Sequence, residues 1–569
     1  MLPVENEKVW EIPRPNKEVA TEISAAIGCL PVIGQLLLNR GVESAEGAAA
    51  FCNASLDGLH DPFLLDDMER AVARLRRAIS CREKILVFGD YDVDGISGTA
   101  LLVRELDLLG CSPYYYIPNR LVEGYGLNKE RIAKASQEGI NLIITVDNGM
   151  SSHDEVRYAA SLGIDVIICD HHEPDGNLPA AVSVLNPKRE NSNYPFRELS
   201  GVGVALKLLT ALSGKLPQNL DFTALGTIAD IVPLVDENRI LARAGLDMIN
   251  ADGKPAAGLL ELFRVSGLEG KRINSGNVAF QLAPRLNAAG RLGSGHLGVQ
   301  LLLTTSQALA QRIARKLDED NRNRQAIEME ILAQALEKVE NEFDPARDFS
   351  IVLSDSRWHP GVIGIVASKI VELYHRPAIL IAMGDQVGKG SARSIRHLHM
   401  CDALRQCQQH LVGFGGHRFA AGLTVEAAKF SLYRDAFEQV CKGKLMEQDL
   451  RPVVRADATL ALDEISSALI EQLELLAPFG NANPTPAFAS LGVSVAGSSV
   501  QVLRGKHLKF AVRQGKKVLP AIGFRMEQYE HTLKERPLLD IIYTPQFNTY
   551  KGLTSIQLSL RDVRPHRQD

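Results

Sequence analysis

A chain of 569 residues, 45% hydrophobic and 23% charged, has ordinary globular composition and enough apolar mass for several cores, so three or four domains are expected. A net charge of -5 excludes a surface uniformly coated in basic residues, so any nucleic acid must be held in a local groove. No basic leader followed by an apolar run opens the chain, no apolar run reaches about eighteen residues, and the eight cysteines form no C-x-x-C pair; a secretory signal, a membrane span, a disulfide frame and a thiolate zinc site are excluded, and the expected location is the cytoplasm.

From residue 84, short apolar runs alternate with helical periods. Ile85–Phe88 precedes a helix through Leu101 to Leu109, Tyr114–Ile117 precedes a helix near 128–138, and Leu142–Val146 precedes a helix near 152–162 and then Val166–Cys169. Strand and helix alternating at this spacing predict an α/β domain with a doubly wound parallel sheet. Residues 200–250 add helices, and Gly201-Val202-Gly203 reads as helix packing. Residues 304–341 carry no Pro or Gly and predict a connecting helix, about 55 Å long if continuous, of the kind that joins two domains. A second, smaller α/β unit follows from Ile351 to about residue 445, with glycine turns around Gly361, Gly388 and Gly413. The last stretch switches to short alternating strands and predicts a small β-barrel. The expected boundaries are 1–50 for an N-terminal segment packing on the catalytic domain, 51–303 for that domain, 304–345 for the connecting helix, 346–447 for the second α/β domain and 448–569 for the barrel. Residues 501–569 hold 13 Lys and Arg against 6 Asp and Glu, a local basic patch suited to an anionic partner.

Four acid-bearing sites carry the chemistry. Asp90, Asp92 and Asp94 stand at every second position just after an apolar run; continued as strand, that spacing points all three to one side. Three crowded carboxylates cannot all stay ionised without cations nearby. A calcium loop of D-x-D-x-D-G type is disfavoured, because its twelfth position is Leu101 and a strand, not a helix, precedes it. Asp147 ends the run Leu142–Val146, and Asp170-His171-His172 ends the run Val166–Cys169, so three strands deliver acids or imidazoles at their carboxyl ends, where ligands bind in open α/β sheets. The side chains of His171 and His172 leave in different directions, which suits one metal ligand and one substrate contact. Asp230 is an acid in an otherwise apolar helical segment, and a buried carboxylate needs a partner. Asp and His donors without thiolates favour Mn²⁺ or Mg²⁺, and two such ions suit phosphodiester hydrolysis. The absence of G-x-x-x-x-G-K-[ST] argues against ATP-driven motor activity.

Asp90 to Gly95, Asp147, Asp170-His171-His172 and Asp230 resemble the four motifs of the DHH phosphoesterases. Leu59–Phe63, Glu123–Leu127, Leu282–Leu292, Trp358–Ser368, Gly388–Ser394, Phe414–His417 and Pro478–Pro484 are similar to the single-stranded-DNA exonucleases of that family, from about residue 50 to the end. The resemblance implies a DHH catalytic domain, a connecting helix, a DHHA1 domain and a C-terminal OB-fold that binds single-stranded DNA. It implies a metal-dependent 5′→3′ exonuclease that releases 5′-mononucleotides from single-stranded DNA in recombination, repair and mismatch repair, in a bacterial cytoplasm. Two ions, Mn²⁺ or Mg²⁺, would be held with Asp92 on one, Asp94, His171 and Asp230 on the other, and Asp147 between them. His172 would contact the scissile phosphate, and Asp170 would orient a neighbouring histidine. Many relatives carry a histidine four residues before the position of Asp92; here that residue is Phe88, so either Asp90 completes the shell or that ion is held more weakly. Arg120, Ser391 and Arg393 would bind the 5′-phosphate, and Arg291, Asn287 and His417 the following phosphates. Lys506, Lys509, Phe510, Tyr543, Phe547 and Tyr550 are candidates for DNA contacts in the OB-fold. Single-strand-binding protein and a RecQ-type helicase are the partners implied for a monomeric chain, with no membrane involved. Shorter relatives that cleave RNA oligonucleotides or cyclic dinucleotides, and a catalytically silent DNA-binding scaffold, are the alternatives.

Overall fold

The computed structural model describes residues 8–120, 122–174, 176–251, 255–292 and 295–566; the ends of the two expected terminal segments, 1–7 and 567–569, lie outside the described residues. The chain divides into two compact units, the smaller built chiefly on Lys316–Val453 and the larger on Trp10–Gly290, Ser294–Arg315 and Val454–Asp569.

The larger unit is organised around five parallel strands: β1 (Ile85–Gly89), β2 (Tyr114–Tyr116), β3 (Leu142–Val146), β4 (Asp165–Cys169) and β5 (Ser183–Leu185), in the order β2-β1-β3-β4-β5. β1 and β3 are buried along their whole length, as continuous Ile, Leu and Val runs dictate when helices cover both sheet faces. The chain leaves β1 for β2 on one side and returns to β3 on the other. A crevice therefore opens at the carboxyl ends of β1 and β3, the switch point at which such sheets bind ligands.

Strand geometry does not continue through the first acidic cluster. β1 stops at Gly89 and helix α1 (Val93–Leu108) begins within four residues, with Asp92 as its N-cap. The Asp92 carboxylate accepts hydrogen bonds from the Asp94 and Gly95 amides at 3.0 and 3.2 Å, satisfying helix-start donors that a strand would not expose. The start of a helix, not a continuing strand, therefore places these acids, with Asp90 and Asp92 in one ligand group and Asp94 in another, and the expectation of a persisting strand that points all three to one side is corrected. Helices α2 (Gly201–Ser213) and α3 (Leu220–Ala229) pack on α1, and α4 (Asp236–Asn250) packs on α3. Asp230 caps the carboxyl end of α3 and does not lie within the helix.

The C-terminal part of this unit is a seven-stranded sheet in which Phe488–Val495, Leu539–Tyr550, Leu553–Pro565, Lys517–Phe524 and His507–Gln514 close on themselves through the pairing of the first with the last. Its core also takes in Ile23, Ile33, Leu36 and Leu37 from the helices Lys17–Ile27 and Pro31–Leu38. The N-terminal segment therefore packs on the barrel, which offers the apolar face its helices need. Just past that segment, at the end of the helix Ala45–Asn53, the carbonyls of Phe51 and Cys52 accept from Arg239 and Arg243.

The helix expected over 304–341 is α5 (Gln307–Glu342), 36 residues long, and the chain passes from one unit to the other within it. In the smaller unit a five-stranded sheet runs in the order Gly413–Gly416, Ala420–Glu426, Val387–Arg393, Ala378–Met383, Ile351–Asp355, with helix α6 (Ile363–Tyr374) against it.

Candidate metal centre

Three segments ending or following β1, β3 and β4 bring their polar side chains to the crevice, and α3 supplies a fourth. Ligand-type atoms of Asp90, Asp92 and Asp147 lie within 4.8 Å of one another, as do those of Asp94, His171 and Asp230, and those of Asp147, His171 and His172. Asp147 is common to the first and third groups. His171 Nε2 sits 3.1 Å from Asp147 Oδ1, 3.4 Å from Asp230 Oδ2 and 3.8 Å from Asp94 Oδ2.

Each acid is fixed by its own local structure. Asp94 accepts from the amides of Gly201 and Val202 at 2.6 and 2.9 Å, so both its oxygens face the N-terminus of α2 and the positive end of that helix. Asp147 has φ +62°, a left-handed conformation that Asp tolerates better than most residues, and its carbonyl accepts from the Tyr125 hydroxyl at 2.9 Å. Asp170 is fully engaged: Oδ2 accepts from the Met150 amide at 2.9 Å, and Oδ1 from the amides of His171 and His172 at 2.8 and 3.2 Å. His172 Nδ1 lies 2.8 Å from the same Oδ1. Asp90 Oδ1, in contrast, is buried without a hydrogen-bond partner.

The electrostatics follow from this crowding. Burial first, then the charge of Asp92, raises the Asp94 carboxyl to about 7 and pushes Asp90 and Asp147 well above the usual carboxylate range; burial and the charge of Asp94 do the same to Asp230. Burial and the neighbouring His172 charge lower His171 to about 3, which keeps its imidazole neutral and able to donate a lone pair. Burial opposes protonation of His172, but the charge and hydrogen bond of Asp170 outweigh it and lift the ring to about 9. The same interactions, set against burial, hold Asp170 near 2. The donor set therefore fits divalent cations: oxygen-rich, one neutral imidazole, an orphaned carboxylate oxygen, and several carboxylates that cannot share the space as anions without positive charge.

Phe88 packs its ring in the core with Tyr116, centroids 5.4 Å apart, and Asp90 stands in the group with Asp92 and Asp147. Asn287 Oδ1 accepts from the Val93 amide at 3.0 Å, and the Arg120 guanidinium lies 5.0 Å over the Tyr91 ring. In the smaller unit, Arg393 Nη1 donates to Ser391 Oγ at 3.1 Å, and both side chains crowd Gly364 in the first turn of α6, where an added Cβ would meet them at 2.8 and 3.0 Å. Arg291 Nη1 donates to the Gly361 carbonyl at 3.2 Å, and the His417 amide donates to the Ala420 carbonyl at 2.8 Å.

The barrel corrects two expectations. Phe510 and Tyr543 are buried in its core and have no face for a base, because each points inward on its strand. Lys506, Lys509, Phe547 and Tyr550 are exposed. Two features escape a reading of the sequence. Gly201 is more than helix packing: a Cβ there would lie 2.8 Å from Asp147 Cβ and 3.0 Å from Asp94 Oδ2. Tyr125 lies in a segment that resembles the exonucleases, but its hydrogen bond to the Asp147 carbonyl is visible only in three dimensions.

Comparison with known proteins agrees with this architecture. The sequence matches the DHH family, N-terminal domain, over residues 84–229, the DHHA1 domain over 348–443 and the RecJ OB domain over 456–562. It is 36% identical over 565 residues to the single-stranded-DNA-specific exonuclease RecJ of Escherichia coli, covering 94% of this chain and 96% of that protein. Against the Bacillus subtilis protein of the same description it is 36% identical over 562 residues, 97% of this chain and 70% of the relative. Among solved structures, RecJ of Thermus thermophilus in complex with Mn²⁺ superposes with a TM-score of 0.85 at 31% identity, covering 99% of this chain and 81% of that one; the Mg²⁺ complex gives 0.80 at 29%, covering 99% and 80%.

Proposed function

Because this chain belongs to the RecJ family of single-stranded-DNA-specific exonucleases, we propose that it hydrolyses single-stranded DNA from the 5′ end, releasing 5′-mononucleotides, in DNA recombination and repair. The chain is a hydrolase of metal-dependent exodeoxyribonuclease type. The observation that carries the reading is the convergence of Asp90, Asp92, Asp94, Asp147, His171 and Asp230, whose ligand-type atoms fall into groups spanning no more than 4.8 Å.

In this reading Asp94, His171 and Asp230 would hold one cation and Asp92 and Asp90 the other, and Asp147, whose ligand atoms fall in groups with Asp90 and Asp92 and with His171, would serve both. Asp90 stands in for the histidine that Phe88 replaces, which its unpartnered Oδ1 supports. Two divalent ions would supply Lewis-acid activation of water and stabilise the leaving oxygen. The protein's own part is positional and electrostatic. Asp170 holds His172 in place and charged, so that its ring donates to a non-bridging oxygen of the scissile phosphate. The neutral His171 is held among three carboxylates, ready as a nitrogen ligand. In the smaller unit Ser391 and Arg393 would take the terminal 5′-phosphate and Arg291 and His417 later ones, and in the larger unit Arg120 and Asn287 would offer phosphate contacts of their own; guanidinium groups suit that task because of their bidentate fork. Lys506, Lys509 and Tyr550 would offer charge and a stacking face to the following strand. Single-strand-binding protein and a RecQ-type helicase are proposed partners of a monomeric enzyme located in the cytoplasm.

Asp147→Asn tests the centre. Release of nucleotides from a labelled single strand in Mn²⁺ should fall by more than about 100-fold, beyond the loss that outer-shell partners alone produce, while strand binding measured by fluorescence anisotropy stays within about 3-fold. Retained turnover in that variant, or wild-type turnover in excess EDTA, would rule the reading out.

A further inference from the structure

The segment Pro478–Pro484, singled out in the sequence but given no task, reaches back 250 residues to the turn that follows Asp230. Asn481 Nδ2 donates to the Ile231 carbonyl at 2.8 Å, and the Leu234 amide donates to the Asn481 carbonyl at 2.8 Å. Ile231 has reason to be held. Its φ is +62°, a region that a β-branched residue almost never occupies, and the residue is 68% exposed, so packing does little to fix the turn. Such a conformation persists only where the surroundings over-determine it.

The segment that does the holding is itself rigid. Asn483 is fully buried; its Nδ2 donates to the carbonyls of Leu476 and Pro478 at 2.8 Å each, and its Oδ1 accepts from Arg40 Nε at 2.6 Å. Gly480 and Asn483 bridge through their backbones at 2.8 and 3.2 Å. A Cβ on Gly480 would stand 2.6 Å from Leu234 Cδ1, so glycine is what allows the loop to close on the turn. Every contact lies within the larger unit.

We propose that Asn481 is a positioning residue for Asp230: its carboxamide pins the strained Ile231 peptide and thereby aims the preceding carboxylate at His171 and Asp94. The proposal rests on the reading that Asp230 holds a cation. It makes a loop of the barrel domain part of the catalytic apparatus, although none of its residues touches the reacting atoms.

The test compares wild type, Asn481→Leu, Asn481→Gln and Asp230→Asn as full chains, titrated metal-free with MnCl₂ by calorimetry and assayed on a single-stranded oligonucleotide. Asn481→Leu removes the amide donor while keeping the same branching and number of heavy atoms. Expected is a loss of about 10-fold in Mn²⁺ affinity at one of the two sites, the site that Asp230→Asn abolishes. kcat should fall with KM for DNA unchanged, the metal-free melting temperature should stay near wild type, and Asn481→Gln, which keeps an amide donor, should recover part of the affinity. An Mn²⁺ titration of Asn481→Leu identical to wild type, with Asp230→Asn losing its site, overturns the brace alone. Equal losses at both sites with a lowered melting temperature also overturn it, since that is the mark of a merely structural residue. Intact two-site binding in Asp230→Asn overturns the ligand reading and the brace with it.

Discussion

Asp170 spends one oxygen on the Met150 amide, in the turn after Asp147, and the other on the amides of its own turn and on His172, which leaves it little capacity to ligate a cation directly. Its influence is exerted through the imidazole, which it holds protonated up to about pH 9 against the cost of burial. Replacing it with Asn keeps the shape and removes the charge. In Asp170→Asn the His172 ring, followed by NMR in metal-free protein, should titrate more than about one unit lower, toward the ordinary histidine value near 6.5. The direction for activity follows from that. Turnover of the variant relative to wild type should fall further at pH 8 than at pH 6, because loss of the Asp170 charge favours the neutral ring. A ring that still titrates near 9 would mean that the other carboxylates suffice to hold its charge.

At the scale of elements, the first turn of α2 explains why the centre needs a glycine where a helix would prefer another residue. Gly→Ala in a helix is ordinarily stabilising by about 1 kcal/mol. At Gly201 the new methyl would press on Asp147 and Asp94, whose positions are fixed by a left-handed backbone and by two amide hydrogen bonds. Gly201→Ala should therefore lower stability by about 1–3 kcal/mol, read by urea denaturation, and weaken Mn²⁺ binding; a variant as stable as wild type with unchanged binding would refute the close-approach argument. The same element shows what the sequence makes legible. Asp147 and Asp170 can be read directly, because each terminates an apolar run long enough to be a buried strand. Asp92 and Asp94 are found for an incomplete reason, since alternation is extrapolated past the point where capping takes over. Phe510 and Tyr543 go wrong because the alternation of a short barrel strand tells that one face is inside, not which. Gly201, Tyr125 and Asn481 act through contacts between segments far apart in the chain, and no local pattern encodes such a contact.

At the scale of the whole molecule, the carboxylates couple metal, protons and folding. In the metal-free protein Asp94 is raised to about 7, and Asp90, Asp147 and Asp230 are raised as well, whereas unfolded carboxyls titrate near about 4. A folded-state pKa above the unfolded one means that the native state binds the proton more tightly. That contribution to stability is complete below about pH 4 and is lost as the pH rises through the folded values, for Asp94 near neutrality. A divalent cation binds the ionised carboxylates and displaces those protons, so its apparent affinity must rise over the same interval. At a free concentration about 100 times Kd, one bound ion stabilises the folded state by about 2.7 kcal/mol. Since all the ligand candidates lie in the larger unit, it is the unfolding of that unit that responds. At a fixed submillimolar Mn²⁺ concentration, the rise in melting temperature measured by calorimetry should therefore be several degrees larger at pH 8 than at pH 6. In Asp94→Asn, which lacks the carboxyl that titrates near neutrality, that pH dependence should flatten; an Mn²⁺ shift equal at both pH values in wild type would show that protons and cations do not compete for the same carboxylates.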